Sequence, residues 1–257
     1  MEDLTILLAA GAIVFCSFTL EGITGFGSSV IALPFVSMLL GLKMSVPYLC
    51  TLSILLSLYI AFRSWRSVVW KEYAFIALHV AAGLPVGIFL FNRLSAPVLS
   101  LLLAGIMIVV GVKGIAESQR RESAQAVPAA RGRGVLMRLL LVAGGIVHGA
   151  FGTGGPFVVI YASRTLRKKG LFRMTLTMLW LTMNFIRIAE WTYQGTVWTA
   201  RMGKSFLVAL PFVLAGMFLG DFLHGKADGR TFRLCVYGVL LLAGFIMFFT
   251  NVQKLLH

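Results

Sequence analysis

The chain has 257 residues, 59% of them hydrophobic and only 12% charged, with a formal net charge of +14. A soluble domain of this size carries about twice that charged fraction, so the composition excludes an ordinary soluble fold. The Lys and Arg residues sit in short gaps between apolar blocks, where membrane topology places them, which argues against a nucleic-acid partner.

The start, Met1-Glu2-Asp3, is acidic and lacks the basic region and cleavage site of a secretory signal, so the first apolar run is expected to be retained. Apolar runs follow at 4–20, 28–42, 45–62, 73–92 and 97–114, then at 136–147, 156–163, 174–190, 205–222 and 231–250. Most lack a polar face, as helices in lipid or inside a membrane bundle do. Between the two sets, residues 115–134 are rich in Arg, Ser, Gln and Ala and have no apolar period, which marks a polar linker. The expected organisation is an N-terminal transmembrane repeat over 1–114, the linker over 115–134, and a C-terminal transmembrane repeat over 135–257.

The runs 136–147 and 156–163 are too short to cross about 30 Å of hydrocarbon at 1.5 Å per residue. They flank the glycine-rich stretch His148-Gly149-Ala150-Phe151-Gly152-Thr153-Gly154-Gly155-Pro156. Two half-helices there form either a hairpin or one broken span. If each glycine stretch tips a hairpin and the linker is cytoplasmic, seventeen Lys and Arg residues face the cytoplasm, five face outside, and Arg187 stays inside a span. A single crossing at each stretch gives about twelve to ten. The hairpin arrangement obeys the positive-inside tendency. It makes the second half start from the opposite side to the first, so the halves become inverted repeats, each a glycine-tipped broken-helix hairpin plus three transmembrane helices.

The glycine pattern itself recurs. Gly22, Gly25 and Gly27 fall 127 residues before Gly149, Gly152 and Gly154; Gly105 and Gly111 match Gly238 and Gly244; Gly87-Ile88-Phe89-Leu90 resembles Gly216-Met217-Phe218-Leu219. Three matches in one order point to duplication. The glycines either only permit tight turns and close helix contacts, or they mark irregular backbone lining a protein cavity. In the second case each second half-helix begins near the midplane, and its free N–H groups and positive dipole end favour an anion.

Polar groups inside the apolar runs add to this. Glu21 and His148 are also 127 apart, each just before the first motif glycine. They either titrate during transport, coupling protons to the anion, or cap the glycine turn. Asn184, Arg187 and Glu190 share one helical face at spacings of three. Arg187 either pairs with an oxyanion, with Asn184 adding a hydrogen bond, or pairs only with Glu190. Cys16, Cys50 and Cys235 have no metal-like spacing and read as packing residues. The chain carries no nucleotide-binding, metalloprotease or hydrolase motif, so no metal, cofactor or catalytic residue is expected.

At Glu21-Gly22-Ile23-Thr24-Gly25-Phe26-Gly27-Ser28-Ser29, with Leu33-Pro34 downstream, and at Gly149-Ala150-Phe151-Gly152-Thr153-Gly154-Gly155-Pro156, the sequence resembles the sulfite exporter TauE/SafE family. The likeness covers essentially the whole chain. It implies a bacterial inner-membrane permease for sulfite or for a sulfonate such as sulfoacetate. Many members carry a run of glycines where this chain has Phe26-Gly27-Ser28-Ser29, so the identity of the cargo does not carry over.

The expected function is a secondary transporter that moves a small sulfur-containing oxyanion by alternating access, with proton coupling through Glu21 and His148 as candidates. The alternative is a small-anion channel. The expected binding residues are Thr24, Gly25, Phe26, Gly27, Ser28 and Ser29 from the first motif, Phe151, Gly152, Thr153, Gly154 and Gly155 from the second, and Asn184 with Arg187. The expected partners are the small anionic substrate, the lipid bilayer and, from the small-residue faces, a second copy of the chain in a homodimer.

Overall fold

The computed structural model describes residues 2–24, 27–120, 134–166, 168–195, 197–223 and 229–256. Among the described residues it contains ten α-helices and no strand. In chain order they are α1 (Glu2–Thr24), α2 (Ser28–Leu40), α3 (Leu42–Ser64), α4 (Trp70–Arg93) and α5 (Ala96–Arg120), then α6 (Val135–Phe151), α7 (Gly155–Thr165), α8 (Lys169–Gln194), α9 (Ala200–Leu223) and α10 (Gly229–Leu256). Helices α1, α3, α4, α5 and α9 are long and apolar enough to cross a membrane. The protein is an all-α, polytopic membrane protein.

The short elements fall where the glycines predict. Helix α2 has 13 residues, α6 has 17 and α7 has 11, so they run for about 20, 26 and 17 Å. Gly152 ends α6 at φ 64°, and Gly27 precedes α2 at φ 106°. Both sit in the left-handed region that side chains rarely tolerate, which is why glycine stands at each tip. After the second tip the chain folds back, because a Cβ on Gly144 of α6 would lie 3.2 Å from both Phe157 and Val158 of α7. Helix α1 is longer than the run 4–20 suggests. Nothing in its sequence breaks it before the tip, and with 23 residues it reaches about 35 Å.

Two ends of the bundle can be told apart by their contacts. At the end carrying the linker, Arg173 at the start of α8 pairs with Asp221 at the end of α9 at 3.0 Å. There also the Tyr161 hydroxyl of α7 donates to the Glu72 carboxylate at 2.7 Å. At the opposite end the Lys43 ammonium donates to the Phe91 carbonyl, and the Asn92 amide donates to Glu190 at 3.0 Å. Helix α6 runs parallel to α4, since Gly83 meets Val142 and Ile146 while Gly87 meets Ile146, Gly149 and Ala150. It therefore enters from the linker end, and α7 returns there. Helix α1 runs parallel to α9, since Gly216 meets Phe15 and Thr19 while Gly220 meets Thr19 and Gly22. It enters from the opposite end.

The strongest helix pairs are α5 with α10, α4 with α6, α1 with α9, and α3 with α8. Exchanging the two halves maps this set onto itself. The glycine contacts also correct one sequence match. Gly22 packs on Gly220 and its counterpart Gly149 packs on Gly87. By packing, Gly87 corresponds to Gly220 and Gly83 to Gly216. The Gly87-Ile88-Phe89-Leu90 match to Gly216-Met217-Phe218-Leu219 is thus one helical turn out of register, an easy slip where two glycines stand four residues apart. Gly105 and Gly238 meet nothing within 4 Å, whereas Gly111 and Gly244 pack against the partner helix.

Helix α8 is not apolar enough to count among the spans, because Lys169, Arg173, Arg187 and Glu190 lie along it. It runs through the middle instead, with Thr175, Leu176, Leu179, Met183 and Arg187 all buried. Of the polar linker expected at 115–134, residues 115–120 continue α5, since Ala116, Glu117, Gln119 and Arg120 are good helix formers, and 121–133 lie outside the described residues.

In the α4–α6 seam a Cβ at Gly149 would sit 2.9 Å from the Gly87 Cα and closer still to the Leu84 carbonyl. Only backbone is there to yield, so Gly149→Ala should lower stability by about 1–3 kcal/mol. Gly203, with nothing within 4 Å, serves as the control: Gly203→Ala should be neutral or stabilising by up to about 1 kcal/mol. Denaturation of the two purified variants in detergent checks the contrast.

Candidate anion site between the glycine tips

The two hairpin tips meet. One cavity is lined by Glu21, Gly27, Ser29 and Val30 from the first tip, His148 and residues 152–155 from the second, Ser53 from α3, and Trp180 with Asn184 from α8. It is tight, with a free volume of only about 20 Å³. The walls are paired by the same spacing that relates the motifs. Glu21 faces the cavity with His148, Gly27 with Gly154, and Ser53 with Trp180, each pair 127 residues apart. Ser57, buried one turn beyond Ser53, is the counterpart of Asn184.

The tips are chemically unequal. At the first, the Glu21 carboxylate accepts hydrogen bonds from the Ser28 hydroxyl and from the Ser28 backbone N–H. The free N-terminus of α2 is therefore already capped by an internal anion. At the second, the equivalent position is His148, which cannot do this. Its ring stacks on Trp180 at 5.4 Å between centroids and 19° between planes. Neither ring nitrogen meets a partner in hydrogen-bond geometry, although Asn184 lies beside it. Helix α7 then starts at Gly155 with Pro156 in its first turn, leaving the Gly155 and Phe157 N–H groups as its orphan donors. The Thr153 hydroxyl is buried beside them without a partner.

Arg187 stands just behind this wall and is completely buried. Its Nη1 donates to Glu190 at 2.6 Å, while Nε and Nη2 have no partner. The guanidinium lies 4.0 Å from the Trp191 ring and 5.3 Å from the Phe91 ring, and both faces attract a cation. It is in electrostatic contact with His148 and with Cys50. One edge of the fork is paired with Glu190 and the other is open.

Of the expected binding residues, Gly27, Ser29, Gly152, Thr153, Gly154, Gly155 and Asn184 line the cavity. Ser28 is turned onto Glu21, Phe151 is packed in the core, and Arg187 lies outside the immediate lining. Thr24 closes α1, while Gly25 and Phe26 lie outside the described residues. The sequence reading missed Ser53 and Val30. Ser53 and Ser57 one turn apart on an otherwise apolar helix were the available signal. Among the described residues no group of three His, Cys, Asp or Glu side chains could hold a metal.

Residues 9–247 match the family described as "Sulfite exporter TauE/SafE". A relative from Comamonas testosteroni, named "Probable inner membrane transporter protein TsaS", is 26% identical over 185 residues, covering 70% of this chain and 73% of the relative. No solved structure matches the chain. With a family match across nearly its whole length and an all-α polytopic fold, the chain belongs to the sulfite exporter TauE/SafE family of membrane transporters.

Proposed function

We propose that this transporter moves a small sulfur-containing oxyanion, sulfite or a short organosulfonate, across the bacterial inner membrane, binding it at the uncapped tip beside α7. The observation that carries this is a pair of unused donors around the second tip, the Thr153 hydroxyl in the cavity wall and the open edge of Arg187 behind it, close to the start of α7. A tetrahedral or pyramidal oxyanion accepts several such bonds at once, and a helix N-terminus with an adjacent guanidinium suits its charge. The sulfur class rests on the family match and the inner membrane on the relative's printed name.

The halves act as inverted repeats in this reading, and alternating access follows from exchanging their roles around the shared cavity. The exchange symmetry of the helix pairs and the entry of the two hairpins from opposite ends support it. The linker end is cytoplasmic, as the excess of Lys and Arg there indicates. A cavity with so little free space suits an occluded carrier better than a conducting channel.

Glu21 is the proton-coupling candidate that the geometry favours. Its carboxylate lines the cavity within reach of a bound anion, so in charged form it opposes the cargo and in protonated form it does not. His148 is held differently, stacked on Trp180 with neither ring nitrogen in a hydrogen bond.

Thermal stabilisation of the purified protein against sulfite, sulfate, thiosulfate, sulfoacetate and taurine tests the cargo class. An anion that binds the folded state raises the transition with the logarithm of its concentration, about 2.7 kcal/mol at one hundred times Kd. Arg187→Gln should weaken that anion about tenfold or more. A response only to a cation or a neutral solute would overturn the reading. For Glu21, transport into proteoliposomes should rise as pH falls in the native protein and lose that dependence in Glu21→Gln; an unchanged pH profile removes Glu21 from the coupling.

A further inference from the structure

Helix α8 carries a buried polar stripe that extends beyond the cavity. Arg173, Trp180 and Arg187 are seven residues apart in turn, so they share one face over about 21 Å, with Thr177 and Asn184 on the same stripe. All five are buried. The cavity occupies the middle of the stripe, and an arginine stands on either side of it.

Each of the two arginines is held by a carboxylate that leaves part of its guanidinium without a partner. Arg187 has one nitrogen on Glu190 and two without partners. Arg173 places Nη1 and Nη2 on a single oxygen of Asp221, at 3.1 and 3.0 Å, and its buried Nε has no partner. A guanidinium forked onto one carboxylate oxygen wastes its match to a two-oxygen acceptor. The other Asp221 oxygen accepts from the Tyr59 hydroxyl at 3.3 Å and lies 3.9 Å from Arg63. On the cavity side Arg173 is within electrostatic reach of Glu21. Asp221 directly follows Gly220, whose backbone touches Gly22 of the first tip.

We propose that Arg173 is a second anion subsite, at the linker-end mouth of the cavity, and that Asp221 is the carboxylate the cargo replaces there. The inference rests on the anion reading of the cavity. In the closed arrangement Asp221 satisfies Arg173 and ties α9 to α8. An oxyanion arriving from or leaving toward the linker end takes the guanidinium from Asp221, and freeing α9 releases the contact at Gly22. Arg187 and Glu190 form the corresponding pair on the other side. The cargo class is a singly or doubly charged oxyanion with two oxygens in one plane for the fork, a sulfonate or sulfite rather than a halide.

The test uses the purified full-length protein with sulfite and sulfoacetate as probes. Asp221→Asn should lower the half-saturating concentration for stabilisation by about tenfold, because a competing charge is gone, while slowing turnover in proteoliposomes. Arg173→Gln should raise it. The exchange Arg173→Asp with Asp221→Arg restores an ion pair but moves the cation to α9. It should recover thermal stability without recovering anion affinity or transport. If the exchanged protein transports normally, or if Asp221→Asn leaves affinity and turnover unchanged, the pair is only a structural tie and the proposal fails. If the native protein responds to neither probe while another class of solute stabilises it, the anion reading of the cavity fails first.

Discussion

Backbone that leaves a helix inside an apolar medium has N–H and C=O groups that lipid cannot satisfy, and the whole structure is arranged around that constraint. The chain turns at Gly27 and again at Gly152–Gly154. Both turns are kept from lipid by placing each against the other and closing the remainder with α3 and α8. The close packing of α4 on α6 and of α1 on α9, through glycines facing backbone, positions the hairpins deeply enough for their tips to meet. Shielding the turns and forming a cavity are thus one event.

Burial also explains why carboxylates stand where they do. Each concentration of positive potential along the route has an internal anion within reach except one. Glu21 caps α2, Asp221 holds Arg173 and Glu190 holds one edge of Arg187. The start of α7 has His148 in place of a carboxylate. A buried donor set without an acceptor costs stability on its own, and in the proposed function an incoming anion offsets that cost. The two halves are also unequal at the cavity, with small hydroxyls on α3 against Trp180, Asn184 and the nearby Arg187 on α8.

Much of the fold was legible in the sequence, because the signals concerned lengths. The ten apolar runs are the ten helices, and the deficit of residues in 136–147 and 156–163 announced the hairpin. Helix α8 was also found, though its charges keep it below the apolarity of a lipid-facing span. The misplaced match at Gly87 came from reading likeness along one chain where contacts across helices decide register. In the site, Glu21 and His148, 127 residues apart, line one cavity. Their unequal roles depend on which side chain turns back onto a helix start, and Ser28 bonding to Glu21 is a tertiary outcome that spacing does not contain. Ser53 was overlooked because a serine in a transmembrane helix is unremarkable until its partner across the cavity is known.

The central claim is that one oxyanion binds between the two tips, against the start of α7. Selenate or selenite, close analogues of the sulfur oxyanions, make this directly visible, since selenium gives an anomalous signal in crystals of the liganded protein. The account predicts its strongest peak between Gly27 and Gly154, within hydrogen-bond distance of Thr153. No peak between the tips, with the same anion transported by the protein in vesicles, would contradict it.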